Sequence, residues 1–140
     1  MSWLVALAIS MAPYVQAVDH LEHGYDMHLE TLPPVVWVDD CTYGYGWYQF
    51  ETIYLCRSHD WERSAVWGTT LEVVLRHELV HAWQLEFHGP KAFLDWPEWR
   101  REGMADFVAH DGDCARATYF HACERFAKVV AEWEEATGAR

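Results

Sequence analysis

The sequence predicts an α+β fold, a short twisted sheet packed on an amphipathic helix with more helices towards the C-terminus. Three observations carry this. Residues 35–40 (VVWVDD) are apolar and β-branched, as in a buried strand. Residues 51–56 (ETIYLC) alternate, with Ile53 and Leu55 on one face and Thr52, Tyr54 and Cys56 on the other. Residues 69–89 place apolar side chains at helical spacing between a capping sequence and a Gly-Pro stop.

The elements follow in chain order. The start, MSWLVALAISMAPYVQA (1–17), is a short apolar run ending in a small-residue sequence, Val15-Gln16-Ala17. It reads either as a signal peptide without the usual basic start or as an N-terminal apolar core helix. Pro13 and its shortness exclude a membrane span. Residues 18–140 then form one domain, because no linker, repeat or low-complexity tract divides them. A short helix is expected over 18–31, stopped by Pro33 and Pro34. The Gly- and Tyr-rich stretch 41–50 (CTYGYGWYQF) reads as a loop or hairpin turn. The long helix begins with Thr69 as N-cap and Glu72 completing a capping box, and ends at Gly89-Pro90. Leu71, Val74, Leu75, Ala82 and Leu85 form its apolar stripe. A second helix starts at DWPE (95–98), with Pro97 in its first turn, and stops near Gly112. A third runs over about 116–136.

The four cysteines contain no CxxC pair, so they read as two disulfides or as four buried thiols. Cys41 and Cys56 flank the hairpin-like unit and are the first pair to join. Within one helix, nine residues of rise would separate Cys114 from Cys123 by about 13 Å. A disulfide needs Cα atoms within about 7 Å. Either that pair is unbonded, or 114–121 is a loop and the helix begins later; the second reading is preferred. Two disulfides favour a secreted or extracytoplasmic protein, with the cytoplasm as the alternative. The net charge of −12, with no Lys or Arg before Arg57, argues against nucleic acid and against stable association with anionic membranes. Nine tryptophans and seven tyrosines fit a packed domain or a cleft lined with rings.

The chemistry concentrates in RHELVHAW (76–83). His77 and His81 are four apart and share a helix face, so both can offer a ring nitrogen to one cation. Glu78 lies beside that site, where it can take a proton from a metal-bound water. Burying these three polar groups on a core stripe unpaired would cost several kcal/mol, which a bound dication offsets. A third histidine of the metzincin type is excluded: Gln84 stands where the glycine belongs, Phe87 takes the ligand position, and His88 comes one residue late. Glu86 is too close along the same helix. In WPEWRREGMADFVA (96–109), Glu102 and Asp106 are four apart, and Gly103 with Ala105 would allow close approach to the first helix. Glu102 then supplies the third ligand. Asp106 holds the outer nitrogen of one metal-binding histidine. A solvated helix face beside Arg100 and Arg101 is the competing reading.

HELVH followed by WRREGMAD resembles the gluzincin metallopeptidases over about residues 35–110. The resemblance implies a minimal zincin-like domain: short sheet, active-site helix, glutamate helix and C-terminal helix. It implies one catalytic Zn2+ held by His77, His81 and Glu102, with Glu78 as general base and Asp106 behind a ligand. It implies that TIYLC is the edge strand along which a peptide or protein substrate pairs. It also implies a downstream Tyr or His as oxyanion donor, for which Tyr119, His110 and His121 are candidates. The function expected is a zinc-dependent peptidase. The alternatives are a non-catalytic zinc-stabilised secreted binding module, using the aromatic 43–54 region, and a disulfide protein without metal.

Overall fold

The computed structural model describes residues 3–138, with side chains from residue 11 onward. Its elements are α1 (Trp3–Tyr25), β1 (Val35–Val38), β2 (Gly46–Gln49), β3 (Thr52–Cys56), α2 (Trp61–Val66), α3 (Leu71–Asp95), α4 (Glu98–Ala109), a 3₁₀ turn (Cys114–Arg116) and α5 (Phe120–Thr137). The α+β architecture is as the sequence implies: five helices and a small mixed sheet. The strand order is β1-β3-β2, with β1 parallel and β2 antiparallel to β3. The core is built from Ile53 and Leu55 of β3, Val74, Leu75, Leu79 and Val80 of α3, Ala17 and Leu21 of α1, and Ala105 and Val108 of α4. The alternation read in ETIYLC thus points its apolar face inward, although Cys56 is buried as well.

Several local expectations are corrected. Residues 41–50 contain a strand, β2, and are not only a loop or turn; the hairpin spans 46–56, inside the unit that Cys41 and Cys56 flank. It turns at Phe50-Glu51, both at positive φ (53° and 57°), the backbone of a two-residue turn that follows the sheet's twist. β3 is therefore central, and the edge strands are β1 and β2, not TIYLC. Gly46 is required by packing, because a Cβ there would lie 2.6 Å from a Val74 methyl. The first helix starts well before residue 18 and ends at Tyr25, where Asp26 turns to φ 53° and the Met27 N–H bonds back to the Leu21 carbonyl at 3.1 Å. Residues 1 and 2 of the expected signal segment lie outside the described residues. The α1 backbone runs through Val15-Gln16-Ala17, and Ala17 is buried. No helix among the described residues is long and apolar enough to cross a membrane.

α3 is capped by Thr70, not Thr69. The Thr70 hydroxyl accepts from the Val73 N–H at 3.1 Å, and Glu72 pairs with Arg76 at 3.3 Å instead of closing a capping box. At Gly89 (φ 83°, ψ 163°) the helix breaks as the sequence implies, but Pro90 starts a further turn that reaches Asp95. Pro97 caps α4 from just outside it. Gly103 serves a different neighbour from the one expected. A Cβ there would lie 2.3 Å from the Ala122 carbonyl oxygen, so the glycine admits α5, not α3. Both disulfides are present, Cys41–Cys56 and Cys114–Cys123, with Cα separations of 5.4 and 5.6 Å. The second closes because the 3₁₀ turn and residues 117–119 fold the chain back before α5 begins. That is the loop reading of 114–121.

Candidate metal centre

Three side chains converge where α3 meets α4. His77 Nε2 lies 2.9 Å from Glu102 Oε2, His81 Nε2 lies 3.0 Å from the same oxygen, and the two Nε2 atoms are 3.1 Å apart. The helical repeat supplies the histidine pair, and α4 packing across α3 brings Glu102 to it. This group could hold a metal ion.

The outer nitrogens decide what the inner ones can do. His77 Nδ1 is 2.6 Å from Asp106 Oδ1, and the other Asp106 oxygen accepts from the Tyr119 N–H at 2.6 Å. His81 Nδ1 is 2.9 Å from Gln84 Oε1, while Gln84 Nε2 donates to the Arg101 carbonyl at 3.1 Å. With its amide committed in that sense, Gln84 can only accept from His81, so the ring carries its hydrogen on Nδ1. Asp106 imposes the same tautomer on His77. Two imidazole lone pairs and a carboxylate oxygen then face one another. A proton shared among them satisfies part of this triangle; a dication satisfies all of it. Tetrahedral bonds of about 2.0–2.1 Å put neighbouring donors about 3.3–3.4 Å apart. The triangle therefore needs to open by only a few tenths of an ångström.

The electrostatics follow from the same contacts. Burial opposes charge on His77, but its hydrogen bonds to Asp106 and Glu102 outweigh that and hold its pKa well above the ordinary imidazole value. Burial likewise opposes charge on Glu102, yet the two histidines hold its carboxyl well below the usual range. Glu78 is the exception. It is 6% exposed, lines the same cavity, and makes no hydrogen bond to any described residue; burial pushes its pKa up.

The cavity above the triangle has a volume of about 620 Å³. Tyr43 to Tyr48 form one side, including the start of β2. Phe93 and Leu94, from the turn after Gly89, and Thr118 and Tyr119 line the cavity elsewhere. Arg101 braces this turn by donating to the Phe93 and Trp96 carbonyls at 3.3 Å, with its Nε 3.8 Å from Glu102 Oε1.

Among the candidate oxyanion donors, Tyr119 and His110 line the cavity and His121 does not. His121 stands exposed on the first turn of α5, its ring against Phe120, so it is withdrawn. The Tyr119 ring stacks on His77 at 6.0 Å, and burial pushes its hydroxyl pKa up to about 12. Burial lowers the pKa of His110. His88 packs its ring on Trp96 at 4.6 Å, and Glu86 accepts from the N–H groups of Glu30 and Thr31, so neither joins the triangle. The residue that sequence reasoning missed is Gln84. Its signal was a polar side chain on the apolar stripe of α3, one turn after His81, where it is completely buried. No protein-family model, no curated protein and no solved structure matches this chain.

Proposed function

We propose that the chain is a zinc-dependent peptidase of gluzincin type on a minimal zincin-like frame. The observation that carries the reading is the pairing of two features. Three lone pairs are pointed at one another by contacts behind them, and a buried carboxylate without a hydrogen-bond partner, Glu78, stands beside them at the floor of a cleft. Two imidazoles and one carboxylate suit zinc and leave an open coordination position. Zinc would supply the positive charge that polarises a carbonyl and makes water acidic at neutral pH.

The chain's own groups do the rest. His77, His81 and Glu102 would hold the ion, and Asp106 and Gln84 hold the two rings. Glu78 accepts a proton from the attacking water as its oxygen bonds to the scissile carbonyl carbon. The carbon–nitrogen bond then breaks, and the same proton passes to the leaving amine. The Tyr119 hydroxyl, protonated at neutral pH, donates to the carbonyl oxygen as it gains charge. The unpaired edge of β2 offers backbone groups to an extended peptide. The two disulfides favour an extracytoplasmic setting.

The alternative, a zinc-stabilised module that cleaves nothing, is separated by one substitution. Glu78→Gln in the peptidase retains zinc and loses cleavage of a peptide library. In the module it changes neither zinc content nor any peptide product.

A further inference from the structure

We infer that the cleft is closed at one end, so that the enzyme trims the carboxyl ends of peptides instead of cutting within them. The inference rests on the peptidase reading and adds the substrate class to it. Its starting observation is a bond between the two walls. The Tyr45 hydroxyl lies 2.7 Å from the Thr118 hydroxyl, joining residues 73 positions apart that both line the cavity.

The position of this bridge along the cleft can be read from its neighbours. Tyr45 immediately precedes Gly46, which sits against Val74 on α3. Thr118 immediately precedes Tyr119, which stacks on His77. Farther along β2, Tyr48 shares a small cavity with Ala82 and Leu85 of α3. β2 and α3 therefore run in the same direction, and the bridge crosses near Val74, about one helical turn before His77. One turn is about 5.4 Å. An extended peptide rises about 3.4 Å per residue. About one or two residues fit between the reacting carbonyl and the bridge.

The bridge is held from both sides. Tyr45 stacks on His59 at 4.8 Å and meets Trp61 edge-on at 6.1 Å. Thr118 lies within the segment closed by the Cys114–Cys123 disulfide. Behind it the walls touch again: a Cβ on Gly68 would lie 2.4 Å from the Arg116 side chain. The opposite end of the cleft, past His81, carries no such link among the described residues. Polarity follows from pairing. Antiparallel addition to an edge strand is the more stable mode. A peptide antiparallel to β2 runs from Gln49 towards Gly46, which brings its carboxyl end to the bridge. Hydrolysis then breaks the peptide bond one or two residues from that end, water supplying the carboxylate oxygen of the shortened chain and the proton of the released amine.

The test uses zinc-loaded wild-type protein and random-sequence decapeptides, supplied linear with free ends and as backbone-cyclised versions of the same sequences. Products are read by mass spectrometry, with Glu78→Gln as the blank. The expected result is ladders shortened from the carboxyl end and cyclic peptides left whole. The variants Thr118→Ala and Tyr45→Ala should each gain internal cuts and cut cyclic peptides; the first leaves the aromatic packing of Tyr45 in place. Internal cuts or cleaved cycles with wild type overturn the closed end and leave the peptidase reading standing. Trimming from the amino end overturns the polarity and with it the proposal. No Glu78-dependent product from either pool removes both.

Discussion

The floor of the cleft and its walls are held in different ways. The floor, where α3 meets α4, is largely buried, and every functional side chain but Glu78 is held by a named partner: Asp106 behind His77, Gln84 behind His81, Arg101 beside Glu102. The walls are segments 43–48, half-buried from Tyr45 on, and 114–119, largely exposed beyond the buried Cys114, tied by two disulfides and the Tyr45–Thr118 bridge. Such a division suits a hydrolase. Reacting groups need fixed geometry, which packed helices supply. Walls that meet varied side chains need chemistry that can be altered without disturbing that geometry.

The comparison can be broken most sharply at the floor. Glu78→Gln should lower turnover about 100- to 10,000-fold, as for loss of a general base, with zinc content unchanged; peptide cleavage with parallel elemental analysis checks it. A smaller effect is expected at a wall. Replacing Cys114 and Cys123 together by Ala removes a loop closure across nine residues and should cost about 3 kcal/mol of unfolding free energy in denaturant titration. Zinc affinity should fall less in that variant than after Gln84→Met, or the division between floor and walls is misdrawn. Gln84→Met keeps the volume but frees the His81 ring. It should weaken zinc binding about 10- to 100-fold in chelator competition. The smallest effect is at the cap of α3: Thr70→Ala should cost about 1 kcal/mol and Thr69→Ala close to nothing, read from paired thermal melts.

The same contrast explains what the sequence discloses. The floor is legible because its chemistry imposes spacing. His77, Glu78 and His81 are locked by the helical repeat, and Glu102 and Asp106 by the same repeat on α4. Gln84 is hidden in the sequence because its position stands out only as the place of a glycine in another motif, although a buried amide on an apolar stripe needs partners. Gly103 signals a close helix contact, but the neighbour is α5 and not α3, because spacing alone does not say which helix comes close. The walls are less legible because tertiary pairing makes them. β2 lies inside a Gly- and Tyr-rich stretch with turn-like composition, and becomes a strand by bonding to β3. The Thr69-Glu72 pattern suggested a cap that loses to Thr70 once Glu72 pairs with Arg76. Cys114 and Cys123 were legible through distance: a continuous helix could not join them, so a bond required the chain to turn back.

Zinc content after exhaustive dialysis tests the central claim most directly, measured on wild type, Glu78→Gln and Glu102→Ala with folding checked by circular dichroism. Stoichiometric zinc in the first two and none in the folded third is the predicted result. Zinc retained by Glu102→Ala, or absent from wild type refolded with excess metal, would contradict the account.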